Sequence, residues 1–199
     1  MDYFNIVCGI ITIISLVITI YYGKKAAILE LQKKKLEWPD IQTSANYIGN
    51  KIKKDRFTPE IIFTPGLRAA SFVWLLEEEF HNTNIPAFIG ICSMKNDSID
   101  SSIVTNYQKL ETNKWEVLIP KDMLTLNTKK ILVVDDLAMS GDFMLAFKKL
   151  LIDNGFQQKN IKTATIVVTK VAKANNKCPD YFWMEANDDG FYFPWGKAI

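Results

Sequence analysis

The chain has 199 residues, 48% of them hydrophobic, which suits one domain with a substantial core plus an appendage. Its formal net charge of +2 is too small to argue for a nucleic-acid partner. The three cysteines, Cys8, Cys92 and Cys178, are far apart and match no metal or disulfide spacing. The single histidine, His81, argues against a zinc or Ser-His-Asp site built on imidazole.

No charge occurs from Tyr3 to Gly23, and the stretch is rich in Ile and Val with Tyr3, Phe4, Tyr21 and Tyr22 at its ends. As a helix it would span about 30 Å, the hydrocarbon thickness of a bilayer, with aromatic residues at both interfaces. Residues 1–23 therefore read as a single transmembrane helix. A cleaved signal peptide would need a basic leader and small residues at a cleavage site, whereas Asp2 is the only leading charge here. Lys24, Lys25, Lys33, Lys34 and Lys35 follow, and the positive-inside rule places them and all downstream residues in the cytoplasm. Residues 24–38 read as a charged helical stalk ended by Pro39. Residues 39–199 read as one further domain.

Within that domain, Ser44–Lys54 has helical periodicity, with Ala45, Ile48 and Ile52 on one side. Ile61–Phe63 reads as a strand, Thr64–Arg68 as a turn, Ala69–Phe80 as a helix and Ile85–Ser93 as a second strand. Residues 95–113 are polar and read as a long loop. Trp115–Ile119 and Ile131–Val134 are further strands. A helix over Phe143–Asn154, closed by Gly155, precedes a further strand over Lys162–Thr169. Strands that alternate with helices predict an α/β fold, with a mostly parallel sheet flanked by helices.

The most informative stretch is Ile131-Leu132-Val133-Val134-Asp135-Asp136, followed by Met139-Ser140-Gly141-Asp142-Phe143. A short apolar run reads as a buried parallel strand. Two carboxylates end it, and a Ser-Gly turn opens a helix. In open α/β sheets ligands sit at the carboxyl ends of strands. A helix start offers unpaired N–H groups and a positive dipole end to an anion. Adjacent carboxylates beside such a site suit sugar hydroxyls or a hydrated Mg²⁺. Two acids beside a buried region are costly unless something binds them.

Two families use nearly this wording. Response-regulator receivers begin in the same way but need a later strand bearing a phosphorylatable Asp. None follows here, and only 69 residues run from Ile131 to Ile199. The stretch resembles instead the signature of the type I phosphoribosyltransferases, which is a hydrophobic strand, two acids, and Thr/Ser-Gly at a helix start. That resemblance implies the type I phosphoribosyltransferase fold over residues 39–199. It implies that Asp135 and Asp136 hold the ribose hydroxyls of phosphoribosyl pyrophosphate and, through this substrate, Mg²⁺. It also implies that Met139, Ser140, Gly141, Asp142 and Phe143 form the loop for the 5′-phosphate. Thr64, Pro65, Gly66, Leu67 and Arg68 resemble in placement the pyrophosphate loop, with Arg68 as a cation for a diphosphate.

The tail narrows the resemblance. Lys170, Pro179-Asp180-Tyr181 and Phe193-Pro194-Trp195 look like the end of the xanthine-guanine phosphoribosyltransferases. There the Lys contacts the exocyclic oxygen of a 6-oxopurine, and an aromatic stacks on the base. That aromatic falls at Gly190 here, and Phe191 replaces it after a one-residue shift. Three departures accompany the match. Met139 stands where those enzymes carry a general-base Asp. Phe143 stands where a Thr hydroxyl often meets the phosphate. Asp142 puts a carboxylate into a loop meant for a dianion, which is unfavourable unless it points away. The function implied is a membrane-anchored, phosphoribosyltransferase-like protein. It binds phosphoribosyl pyrophosphate or a nucleotide and transfers phosphoribosyl to a purine-like base. The alternative is a catalytically impaired nucleotide-binding regulator or effector that signals to the membrane. The sequence leaves self-association into a homo-oligomer open.

Overall fold

The computed structural model describes residues 11–24, 34–80, 84–95, 104–187 and 190–197. Residues 11–24 are helical (α1) and exposed along their length. Among the described residues no helix is long and apolar enough to cross a membrane. The first ten residues of the expected anchor, residues 25–33 of the expected stalk, and His81 lie outside the described residues.

The stalk does not end as a helix. Lys34–Lys35 is a short strand (β1), and helix α2 starts at Trp38 and runs to Lys54. Pro39 thus sits in the first turn of a helix instead of terminating one, because first-turn N–H groups have no intrahelical partner to lose. The backbone N–H of Glu37 donates to the Asp40 carboxylate at 2.9 Å, closing that first turn. The helix therefore begins six residues before the expected Ser44.

Five parallel strands form the central sheet: β2 (Ile61–Thr64), β3 (Ala87–Ile89), β7 (Ile131–Ala138), β8 (Ile161–Thr169) and β9 (Tyr181–Ala186). Their order is β3-β2-β7-β8-β9. A three-stranded antiparallel sheet stands beside it, built from β4 (Ile91–Met94), β5 (Tyr107–Glu111) and β6 (Trp115–Pro120) in the order β4-β6-β5. Helices α3 (Ala70–Glu78), α4 (Lys121–Leu124), α5 (Asp142–Asp153) and α6 (Lys170–Ala174) complete the domain. The closing strands are β10 (Phe191–Phe193) and β11 (Gly196–Lys197).

Further differences from the sequence reading concern the strands, and the fifth strand of the central sheet, β9, lies beyond the last one expected. The expected strand over Ile85–Ser93 is two strands in two sheets, split at Gly90. A Cβ there would lie 2.9 Å from the Pro65 carbonyl oxygen and 3.0 Å from that of Leu118, so only glycine lets the backbones approach. The polar stretch 95–113 contains β5, whose register pairs Gln108 with Ile119 and Leu110 with Val117. And β7 continues through Asp135 and Asp136 to Ala138 instead of stopping at Val134.

Both faces of the central sheet are covered, as a parallel sheet requires. On one face Leu132 and Val134 pack with Ile41, Ile48, Phe72 and Leu76 from α2 and α3. On the other, Ile131 and Val133 pack with Met144, Phe147 and Leu151 from α5. Phe63 and Phe147 stack at 4.5 Å between ring centroids.

Asp180, in the Pro-Asp-Tyr segment, ties this frame together. Its Oδ2 accepts from the Thr163 N–H at 2.9 Å, the Thr163 hydroxyl at 2.8 Å and Lys148 Nζ at 2.9 Å. Burial pushes the carboxyl up, but Lys148, Thr163 and Lys162 outweigh it and hold the pKa below the usual range. Asp180→Ala is expected to lower stability by about 2–3 kcal/mol, since several buried donors lose a charged acceptor. Thermal melts at pH 7 would read this as a drop of about 4–12 °C. Because the pKa is depressed, the Asp180 contribution is present above the unfolded value near 3.9 and lost as pH falls through the folded one.

Candidate functional site

The carboxyl end of β7 opens into a cavity of about 900 Å³. Pro65, Gly66, Leu67 and Arg68 line one side, and Asp135 through Met144 line another. The third wall comes from β4, β6 and the hairpin turn between β5 and β6, including Cys92, Met94, Lys114 and Trp115. A second, shallower hollow lies at the opposite end of the sheet, around Arg56, Lys130 and Lys159. None of the chemistry-bearing motifs faces it.

Because β7 runs on past Val134, both carboxylates are held on regular strand backbone. Asp135 pairs in register with Thr165 of β8. Asp136 is buried at 8% exposure, while Asp135 is half-buried at the cavity wall. The Asp136 N–H donates to Asp135 Oδ1 at 2.9 Å. Burial pushes the Asp135 carboxyl well above its ordinary value, and the neighbouring Asp136 charge adds to this. Burial also raises Asp136, against a hydrogen bond from Trp195 and the field of Arg68. The Trp195 Nε1–H donates to Asp136 Oδ2 at 3.0 Å. Among the described residues neither carboxylate forms an ion pair. The pair is thus an under-compensated anionic site whose nearby cation, Arg68, lies on the Thr64–Arg68 turn.

Gly141 explains how the strand turns into α5. Its φ is +76°, a left-handed conformation that side chains disfavour. A Cβ there would also overlap the Lys177 carbonyl. The turn leaves the first N–H groups of α5 facing the cavity end of the sheet, where they can meet an anion. The Ser140 hydroxyl donates to Asp142 Oδ2 at 2.9 Å, and Lys177 Nζ reaches Asp142 Oδ1 at 2.5 Å. Lys177 and then Ser140 hold the Asp142 carboxyl below its ordinary pKa. The unwelcome carboxylate of this loop is therefore tied to a lysine outside it. Asp142→Asn releases Lys177 and removes a negative charge, so it is expected to tighten phosphate-ester binding about three- to tenfold by calorimetry.

The sequence-derived residues divide into two groups. Asp135, Asp136, Met139, Ser140, Gly141, Asp142, Phe143, Pro65, Gly66, Leu67 and Arg68 all surround the one cavity. Thr64 is buried just behind it, its hydroxyl donating to the Gly66 carbonyl at 3.2 Å. Lys170 does not line it, and the Phe191 side chain lies outside the described residues. Lys170 is exposed at the first turn of α6, immediately after β8, and Phe191 opens β10. The Met139 side chain packs against the core, and its carbonyl accepts from the Thr169 hydroxyl.

Several cavity residues were not found from sequence. Cys92 stands in the wall opposite the acids. Its side chain is exposed to the cavity, but partial desolvation of the sulfur pushes the thiol up to about 11, and Asp135 and Asp136 add to the shift. Ser93 carries a buried hydroxyl with no partner among the described residues. The hairpin residues Thr112–Trp115 could not be read as a site because their stretch shows no apolar period.

Solved structures resemble this arrangement. Purine phosphoribosyltransferase from Pyrococcus horikoshii matches with a TM-score of 0.58 at 17% identity, over 83% of this chain and 96% of that one. The Helicobacter pylori xanthine-guanine-hypoxanthine phosphoribosyltransferase matches at 0.54 and 15%, over 82% and 93%. The fold is that of the type I phosphoribosyltransferases. A hypothetical protein from Neisseria gonorrhoeae with bound ppGpp matches this same fold at 0.60 and 18%, over 81% and 89%. No family model and no curated protein matches the chain. At these identities the likeness carries the type I phosphoribosyltransferase fold and nothing finer.

The donor set fits Mg²⁺ brought by a substrate. Among the described residues no three His, Cys, Asp or Glu side chains converge on one point. Two adjacent carboxylates suit an ion that keeps waters and shares phosphate ligands.

Proposed function

We propose that the protein is a membrane-anchored phosphoribosyltransferase-like protein that binds phosphoribosyl pyrophosphate, or a nucleotide, at Asp135, Asp136 and the Met139–Phe143 loop. One observation carries this reading. Among the described residues the acidic pair has no ion-pair partner, and it shares a cavity with Arg68 and with a helix entered through the left-handed Gly141. In this pose the carboxylates accept the ribose hydroxyls, the first N–H groups of α5 hold the 5′-phosphate, and Arg68 faces the diphosphate. Mg²⁺ bound with the substrate would neutralise diphosphate charge as it departs. Transfer breaks the C1–O bond to pyrophosphate and forms a C1–N bond to a purine-like base, through an oxocarbenium-like transition state stabilised by position and charge.

The core-packed Met139 cannot take the proton of the base, and loss of one such group lowers the rate about 10²–10⁴-fold. That observation favours, as the second reading, a nucleotide-binding regulator whose occupancy is passed to the membrane. Pyrophosphate release separates the two. Full-length protein in detergent, given phosphoribosyl pyrophosphate, Mg²⁺ and a purine panel, should release pyrophosphate with at least one base. Binding without release for every base would leave the regulator.

The anchor rests on the uncharged run from Tyr3 to Gly23 and on the exposed apolar helix over residues 11–24. Full-length protein should stay with membranes through high salt and carbonate. Its release by either would remove the spanning helix and its cytoplasmic orientation from the proposal.

A further inference from the structure

Trp195 links two parts of the molecule that the binding reading leaves unconnected. Its indole N–H holds Asp136 Oδ2 at 3.0 Å. Its ring stacks on Phe193 at 5.1 Å between centroids, with planes 4° apart, and meets Trp38 at 5.9 Å. Trp38 is the first residue of α2, directly after the segment that emerges from the amino-terminal region. That segment is itself bound to the tail. Strand β1 pairs in parallel with β10, setting Lys34 opposite Phe191 and Lys35 opposite Tyr192. The Leu36 N–H then donates to the Tyr192 carbonyl at 2.7 Å, and the Leu36 side chain is buried at 1% exposure. The tail turn also passes beside Arg68, whose Nη2 lies 3.7 Å from where a Gly196 Cβ would stand.

We propose that residues 34–38 form a strap that positions Asp136. By pairing with β10 and packing Trp38 on Trp195, the strap holds the indole that orients the carboxylate for its ligand. Trp195 and Trp38 are positioning residues, acting through Asp136 without touching the ribose. Thermodynamic reciprocity follows, since a strap that favours the binding-ready carboxylate must itself be held more firmly when ligand is bound. The strap joins the membrane-proximal residues to the site, so seating at one end and occupancy at the other are coupled. The ligand half of the inference rests on the binding reading above. The strap half does not.

Two readouts keep them apart. In ligand-free, full-length protein in detergent micelles, ¹⁵N-labelled at its five tryptophans, the indole resonance that disappears in Trp195→Phe is that of Trp195. It should move in Asp136→Asn and also in Trp38→Ala, and return towards the parent position in Trp38→Phe, which keeps a ring. Affinity for phosphoribosyl pyrophosphate with Mg²⁺ should fall about tenfold in Trp195→Phe and Trp38→Ala, the scale of one hydrogen bond to a charged group, and recover in Trp38→Phe. A Trp195 resonance unmoved by Trp38→Ala would overturn the strap, whatever the ligand does. So would unchanged affinity in Trp195→Phe. If the parent binds no phosphoribosyl ligand, the binding reading fails alone, and the strap stands or falls on the resonance. Amide exchange at Leu36 gives the reverse measurement and should slow on ligand addition.

Discussion

Asp135→Asn/Asp136→Asn is expected to abolish ligand binding while making the ligand-free protein more stable. Each side chain keeps an oxygen acceptor for the Asp136 N–H and the Trp195 indole, so the local hydrogen bonds survive. What disappears is the charge. Two charged acceptors for ribose hydroxyls and substrate-borne Mg²⁺ are lost, which should weaken binding about 10²–10⁴-fold. In the ligand-free state the same charges oppose folding, because burial disfavours both and the Asp136 charge further disfavours that of Asp135. Relief of about 1–2 kcal/mol would raise the melting temperature by about 2–8 °C at pH 7. The folded-state pKa values lie above the unfolded value near 3.9, so the folded protein holds these protons more tightly in the interval between. Ligand-free stability contributed by this pair therefore falls as pH rises through that interval. The penalty is fully present above the raised values. The double variant should lose this pH dependence, which melts run upward from about pH 4 would read. A variant that melts lower than the parent would contradict the strained-site description.

Gly141→Ala is the second large effect. The position demands a left-handed backbone, costing an L-residue about 1–2 kcal/mol. The new Cβ would also overlap the Lys177 carbonyl, and forced repacking adds about 1–3 kcal/mol. The sum, about 2–5 kcal/mol, corresponds to a melting temperature lower by about 4–20 °C. Because relief comes only by moving the loop or residue 177, the first turn of α5 should lose its aim at the phosphate as well.

The features legible in the sequence are those carried by local pattern. Ile131–Asp136 could be read as a buried strand ending in acids because a strand covered on both faces shows an unbroken apolar run. Gly141 could be placed at a helix start for the same local reason. Strand β5 could not, since Tyr107–Glu111 offers little beyond Leu110 as an apolar anchor and is held by pairing with β6. The start of α2 was misplaced because Pro39 reads equally as a stop or as a first-turn residue, and the Glu37–Asp40 contact decides between them. The grip of Trp195 on Asp136 joins residues 59 apart in the chain, which no periodicity reports. Lys170 was correctly placed just after the last predicted strand, but strand position does not say which way a following helix turns. The structure leaves it outside the cavity.

The central claim is that the acidic pair and the Gly141 turn form one site for a phosphoribosyl ligand. Isothermal calorimetry tests it most directly, with full-length protein in detergent titrated with phosphoribosyl pyrophosphate in the presence and absence of Mg²⁺. The expected result is one site per chain with Kd below about 1 mM, tighter with Mg²⁺ and lost in Asp135→Asn/Asp136→Asn. No heat of binding from the parent, or equal binding by parent and double variant, would contradict it.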